Sequence, residues 1–267
     1  MEPRLAILAG TGALPQILAA GDPQAVFVTF AGVDVEVPDG LIHQPAAFDR
    51  LGTLFEDLHS HGVTEVVFAG AMSRPALNPA SFDAKMMALA PRLMAAMGQG
   101  DDALLREVAA VFPEEGFSVK AAHEVAPDLM LPANTRIGPI PDKQDVADAQ
   151  KGLDILIALA PLDVSQAAVV AGGQVLGIEV IQGTDAMLGF VAQTPAHLRR
   201  AKGVLVKGPK PGQDMRFDVP TIGPDTVRAA AAAGLAGIYI PAGGVNVLQR
   251  DKVEQALAET GLFLQAR

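Results

Sequence analysis

Leu5-Ala6-Ile7-Leu8-Ala9-Gly10-Thr11-Gly12-Ala13-Leu14-Pro15 is the stretch on which the fold reading turns. An uncharged apolar run meets two glycines and then an apolar helical pattern, the signature of a strand entering a tight turn and a helix. Outward from it the first half keeps alternating: a strand over 25–30, an amphipathic helix over 46–61 and a strand over 65–69. Short β-type runs separated by helices predict a parallel sheet with crossover helices. Helical patterns continue over 80–97 and 101–112, the second opening on Gly100, Asp101 and Asp102, where acids suit a helix N-terminus.

From Pro127 to Pro141 the text becomes PDLMLPANTRIGPIP, with four prolines and one glycine, which suits neither helix interior nor central strand. This predicts a domain linker at 132–136, between an N-terminal Rossmann-like α/β domain over 1–131 and a C-terminal mixed α/β domain over 137–267. In the second domain a helix is expected over 142–160. Apolar runs over 167–171 and 174–181 joined by Gly172-Gly173 read as a β-hairpin. Strands over 203–207 and 237–240 follow, separated by a polar loop and an alanine-rich helix over 224–233.

Composition narrows the function. The chain of 267 residues has no cysteine, no tryptophan and one tyrosine, which excludes disulfides and thiolate chemistry. Thirty acidic against 20 basic side chains give a net charge of −10, which disfavours non-specific nucleic-acid binding. The start, MEPRLAILAGTG, is broken by Gly10 and Gly12 and lacks signal-peptide organisation, so the mature protein is expected to begin there, in the cytoplasm. No run approaches the roughly 20 apolar residues of a membrane span.

Each candidate motif carries a structural reading beside the chemical one. Glycines at Gly10 and Gly12 let a backbone approach a phosphate, and the following helix N-terminus offers free N–H groups; the same turn is also an ordinary strand-to-helix connection. Pro15 stands where the dinucleotide fingerprint requires its third glycine, so NAD binding is not favoured even with Asp34 at about the ribose distance. Asp57, His59 and His61 suit a metal by residue type, but they end a helix before Gly62 and read as a solvated helix end. Glu179, Thr184 and Asp185 gather hard oxygen atoms at a strand's end; either Thr184 or Asp185 would also cap the next helix. Between Arg199 and Asp218 lie six basic and two acidic residues, a local surplus of +4 in an acidic chain. Cations beside carboxylates in a loop stiffened by proline and glycine suit a metal-assisted phosphoryl site. Asp225 after Pro224 suits such a site, and equally the first turn of a helix.

GTGALP, AGAMSRP, GDDALLREV, QGTDAM, VLVKGPKPGQDMRFDVPTIGPDTV and AAAGLAGI together closely resemble the LpxI-type UDP-2,3-diacylglucosamine pyrophosphatases of Gram-negative bacteria. The resemblance covers essentially the whole chain and departs at Gln182, where the family is expected to read Glu. It implies Mg²⁺-dependent hydrolysis of the diphosphate bond of UDP-2,3-diacylglucosamine to 2,3-diacylglucosamine 1-phosphate (lipid X) and UMP, in lipid A synthesis. It also implies two domains closing on this glycolipid nucleotide, a homodimer, and peripheral contact with the inner face of the inner membrane. Carried over by position, Asp225 is the leading catalytic residue, with Asp214 and Lys210 beside it and Asp225 and Asp185 as metal ligands. Gly10, Thr11, Gly12, Glu179, Thr184, Lys207, Gln213, Arg216 and Thr221 would bind substrate. Without a cysteine or a G-x-S-x-G elbow, attack by water is preferred to a covalent intermediate. Met86, Met87, Leu89, Leu93, Met94 and Met97 offer adaptable apolar cover for acyl chains, or form an ordinary helical core stripe. The rivals in other classes are a non-catalytic nucleotide-sugar or lipid-carrier binding protein and a nicotinamide-dependent oxidoreductase.

Overall fold

Parallel strands covered on both faces read as unbroken apolar runs, because neither side of the sheet meets water. The strands β1 (Arg4–Ala9) and β2 (Val26–Phe30) are of this kind, their residues almost all buried. A computed structural model describes residues 3–72, 77–98 and 101–267, and every side chain among them except those of Asp101 and Asp102. Gly100, and Ser73-Arg74-Pro75 of the AGAMSRP string, lie outside that description, whereas the helix expected from Asp101 does begin at that residue. The chain divides into two compact units, one of Met1–Pro127 with Asp214–Phe217, the other of Asp128–Gln213 with Asp218–Arg267.

In the first unit β1 is followed by α1 (Leu14–Gly21), β2, β3 (Ile42–Ala46), α2 (Leu51–Ser60) and β4 (Val63–Ala69). Then come α3 (Ala84–Met97), α4 (Asp101–Glu114), β5 (Ser118–Lys120) and the short α5 (Ala122–Val125). The strands form one parallel sheet in the order β3-β2-β1-β4-β5, with Ile7 beside Phe27 on one side and Val67 on the other. The expected helix over 46–61 begins at Leu51, because its buried positions Leu51, Leu54, Phe55 and Leu58 follow a 3.6-residue period only from there. The residues before it form β3, an edge strand that tolerates Pro45. Likewise α3 starts four residues later than expected, where the Asp83 carboxylate accepts the Met86 N–H at 2.7 Å as an N-cap.

One sheet face packs under α2, α3 and α4 through Leu8, Val28, Leu54, Phe112 and Phe117. Phe217, on the far side of the sequence, belongs to this core: it is 6% exposed and meets Phe68 edge to face at 5.3 Å. Between this face and the three helices lies a cavity of about 190 Å³ with an almost wholly apolar lining.

The second unit runs β6 (Arg136–Ile137), α6 (Lys143–Leu159), β7 (Ala167–Ala171), β8 (Gln174–Ile178), α7 (Gly183–Ala192) and β9 (Val204–Lys207). It continues through β10 (Thr221–Ile222), α8 (Pro224–Ala232), β11 (Gly237–Ile240), β12 (Asn246–Val247), α9 (Arg250–Thr260) and β13 (Phe263–Ala266). Six strands make a mixed sheet in the order β6-β13-β11-β9-β7-β8, and β10 pairs with β12 apart from it. Buried residues of α7, α8 and α9 cover one face, and those of α6 the other. The predicted hairpin is β7–β8, with both turn glycines at positive φ, 58° and 76°. Its turn is held by Asp148 of α6, 1% exposed, whose carboxylate accepts the N–H groups of Gly172 and Gly173 at 2.7 Å each. The proline-rich stretch is more than connecting chain: after a 3₁₀ turn at Pro127–Leu129 it supplies β6, an edge strand antiparallel to β13. The closing α9–β13 pair was not anticipated.

Candidate functional site

In the second unit β7 is antiparallel to both neighbours, so the C-terminal ends of β8 and β9 emerge at the same end of the sheet. Glu179 directly follows β8, and Lys207 closes β9. Thr184, in the first turn of α7 and 8% exposed, stands between them. The Lys207 ammonium donates to Thr184 Oγ1 at 2.7 Å, and the Thr184 hydroxyl donates onward to a Glu179 carboxylate oxygen in a short hydrogen bond. The second Glu179 oxygen accepts the Gln166 N–H at 3.2 Å. A strand end, a helix start and a neighbouring strand end thus hold one cation through one hydroxyl.

Burial lowers the Lys207 pKa from its ordinary 10.5, and the negative charges of Glu179, Asp185 and Asp218 oppose that shift. Three carboxylates thus act on this one ammonium against the effect of its burial.

The basic surplus between Arg199 and Asp218 is largely engaged within the protein. Arg199 donates to the Ala233 carbonyl at 2.6 Å and the Val191 carbonyl at 3.4 Å, satisfying backbone at the ends of α8 and α7. Lys210 pairs with Asp163. The Gln213 amide oxygen accepts from the Lys210 N–H at 2.9 Å and from Gln166 at 3.0 Å, while its nitrogen donates to the Asp218 carbonyl at 2.6 Å, so Gln213 staples the loop. Thr221 donates to the Val219 carbonyl at 2.9 Å. Asp214 and Arg216 belong to the first unit, where the guanidinium grips the carboxylate through Nε at 3.0 Å and Nη2 at 2.6 Å. This hydrogen bonding holds the Asp214 carboxyl below its usual range and raises the arginine. Arg216 also lies over the Phe217 ring, 5.2 Å from its centre.

Asp225 occupies the first turn of α8, its side chain 91% exposed and paired with Arg228 at 2.9 Å. An exposed pair of this kind contributes at most about 1 kcal/mol, so an incoming cation readily displaces it. Asp185 is likewise exposed, in the first turn of α7. Among the described residues no group of three or more His, Cys, Asp or Glu side chains could by itself hold a metal ion.

In the first unit the Gly10–Gly12 turn sits at the C-terminal end of β1, beside β4, where the chain order of the sheet reverses; open parallel sheets bind ligands at such points. Gly10 is required there for packing, since a Cβ on it would lie 2.5 Å from the Ala71 carbonyl oxygen. The N–H groups of Gly10 and Thr11 are already bonded to the carbonyls of Ala69, at 2.7 Å, and Ala71, at 2.8 Å. Of the N–H groups that the sequence offered to a phosphate, these two are therefore committed, which removes much of the basis for a dinucleotide site. Asp57 and His61 both bond the Gln44 side chain, at 2.7 and 3.2 Å, and His59 stacks on Phe117 at 4.5 Å, so this helix end, expected to be merely solvated, is tied into the fold.

Asp163, Gln166 and Asp218, which hold the site loop, were not singled out beforehand. Asp163 sits in a left-handed turn that no motif marks, and Gln166 looks like any polar residue before a strand. The acid Asp148 did carry a legible sign: it shares the buried face of α6 with Ala149, Gly152 and Leu156.

The family model of the LpxI N-terminal domain matches residues 4–129, and that of the LpxI C-terminal domain matches residues 133–265. Among curated proteins, the UDP-2,3-diacylglucosamine pyrophosphatase LpxI of Caulobacter vibrioides is 41% identical over 271 aligned positions, covering 98% of this chain and 96% of that protein.

Proposed function

The chain belongs to the LpxI family, and on that premise we propose that it hydrolyses the diphosphate bond of UDP-2,3-diacylglucosamine, giving 2,3-diacylglucosamine 1-phosphate and UMP in lipid A synthesis. The observation that carries this reading is that similarity to the Caulobacter pyrophosphatase runs through both units, covering 98% of the chain. The chemistry of the second unit supports it. A diphosphate ester reacts slowly because water must approach an anionic phosphorus, so acceleration comes from charge neutralisation and in-line positioning.

Lys207 supplies one fixed positive charge, which Thr184 orients and Glu179 anchors. One ammonium offsets only part of the charge of a diphosphate, which calls for an additional cation. Asp225 and Asp185 are the residues we assign to hold Mg²⁺, which when bound neutralises phosphate oxygens. Asp225 also orients the attacking water, and Lys210, on exchanging Asp163 for a phosphate oxygen, adds charge neutralisation. No helix among the described residues is long and apolar enough to cross a membrane. For a lipid substrate of this kind, action in the cytoplasm as a peripheral homodimer at the inner face of the inner membrane is part of the same proposal.

The deciding experiment incubates the purified protein with UDP-2,3-diacylglucosamine, in Mg²⁺ or in EDTA, and identifies products by mass. Lipid X and UMP should form with Mg²⁺ and not with EDTA. Asp225→Ala should retain the ligand and lose turnover. Absence of UMP from wild-type protein under both conditions would overturn the reading in favour of a binding protein.

A further inference from the structure

Ends of β7, β8 and β9 meet at Gln166, the residue just before β7. Because β7 runs antiparallel to β9 with Ala167 beside Lys207, Gln166 comes next to Gly208, and its carbonyl accepts the Gly208 N–H at 2.9 Å. Its own N–H donates at 3.2 Å to Glu179, which anchors Lys207 through Thr184. The backbone of Gln166 therefore serves Lys207. Its side chain serves the other lysine: Nε2 donates at 3.0 Å to the Gln213 oxygen that also accepts the Lys210 N–H at 2.9 Å.

Between the two lysines the chain has little freedom. Pro209 fixes its own φ. A Cβ on Gly208 would lie 2.8 Å from Pro241 Cγ, and one on Gly244 3.1 Å from Pro209 Cδ, so the turn after β11 packs closely on this segment. At the Lys210 end the links to the rest of the unit run through side chains: Asp163 holds the ammonium, and the Gln166–Gln213 pair holds the backbone. Asp163 must release the ammonium before a phosphate oxygen can take its place. The amide pair need not break, so the Lys210 backbone stays put through that exchange.

We infer that Gln166 is a positioning residue for the hydrolysis, tying Lys210 to the strand ends that fix Lys207 so that both ammonium groups meet one diphosphate. The inference rests on the proposed reading that these lysines neutralise that diphosphate. Charges set in place before the transition state need no reorganisation, and a misplacement of about 1 Å can cost on the order of 10²-fold in rate. Gln166→Met keeps the length of the side chain and ends its donation to Gln213, while both backbone bonds remain. Turnover should therefore fall, and fall through Lys210.

The test is a double-variant cycle joined to amide exchange, on the full chain. Gln166→Met should lower kcat/KM for UDP-2,3-diacylglucosamine at least tenfold in the wild-type background, and less than twofold in Lys210→Ala, where the group it positions is gone. Hydrogen exchange followed by NMR should show the Lys210 N–H exchanging at least tenfold faster in Gln166→Met, and the Gly208 N–H within twofold of wild type. Losses that multiply in the double variant, or a Lys210 amide unmoved by the substitution, would overturn the inference. Should Gln166→Met not fold, Gln166→Glu carries the same expectations, since an ionised carboxylate donates no hydrogen bond. If neither folds, wild-type exchange decides: a protected Lys210 N–H supports the clamp, and one exchanging as fast as in an unfolded chain refutes it. Wild-type protein that cleaves nothing sinks the proposed function, whereas cleavage undiminished in Gln166→Met sinks this inference alone.

Discussion

Replacing Thr184 by valine keeps the shape of the side chain and removes the hydroxyl through which Lys207 reaches Glu179. Two hydrogen bonds go, both to charged groups: one accepted from the ammonium at 2.7 Å, the other donated to the carboxylate. Hydrogen bonds to charged groups contribute about 1.5–3 kcal/mol. The valine methyl, at a site only 8% exposed, returns roughly 0.8 kcal/mol of burial. At that value for each of the two bonds, a net loss of about 2–5 kcal/mol is expected, lowering a urea midpoint by roughly 1–2.5 M at a denaturant slope of about 2 kcal/mol/M. The chain has no tryptophan, and its one tyrosine, Tyr239, is buried in the second unit against Phe263, so tyrosine emission reports the unfolding of that unit. In turnover, kcat/KM should fall at least tenfold, with Thr184→Ser close to wild type because the hydroxyl is restored. If Thr184→Val matches wild type in both tyrosine midpoint and kcat/KM, the Lys207–Thr184–Glu179 connection has no energetic weight and the reasoning fails.

Asp148→Ala removes the acceptor for two hairpin N–H groups and for the Gln144 amide at 2.9 Å. It should destabilise the second unit by about 3–5 kcal/mol; a tyrosine midpoint unmoved relative to wild type would show that the turn glycines hold the hairpin alone. Phe217→Ala should cost about 3 kcal/mol in the first unit, moving the far-UV circular dichroism transition more than the tyrosine transition, and an unmoved dichroism curve would contradict the packing against Phe68. Burial lowers the Lys207 pKa, so its charge, and with it activity, should fall away below the ordinary lysine value of 10.5. The stability effect has the matching sign: the burial cost is present below the folded-state pKa and is relieved as pH climbs through it toward 10.5. Lys207→Arg, if active, should lose this alkaline limb, and a limb unchanged in that variant would assign it to another group.

Much of the layering was legible because it is written in local periods. Unbroken apolar runs announced β1, β2 and β4, and Gly172-Gly173 announced the β7–β8 hairpin, since only a turn at positive φ joins such strands in two residues. The short edge strands β3, β5 and β6 escaped notice; with two to five residues each and one flank open, they need no strong apolar pattern. Family membership was likewise legible, carried by long strings in the second half. The role of each charge was not. Asp225 and Lys207 stood out equally as residues beside a proline-glycine loop, yet the folded chain exposes one and half-buries the other in a hydrogen-bonded chain.

Periodicity tells which side of an element faces inward, while the order in which strands assemble decides which distant residues meet there. By itself the sequence therefore determined the α/β alternation, the hairpin and the kinship. Tertiary structure alone decided that Lys207 meets Thr184 from 23 positions away, that Phe217 joins the core of the first unit, and that α2, α3 and α4 leave an apolar space above the sheet. Each of those depends on contacts between segments far apart in the chain, where no local pattern carries the information.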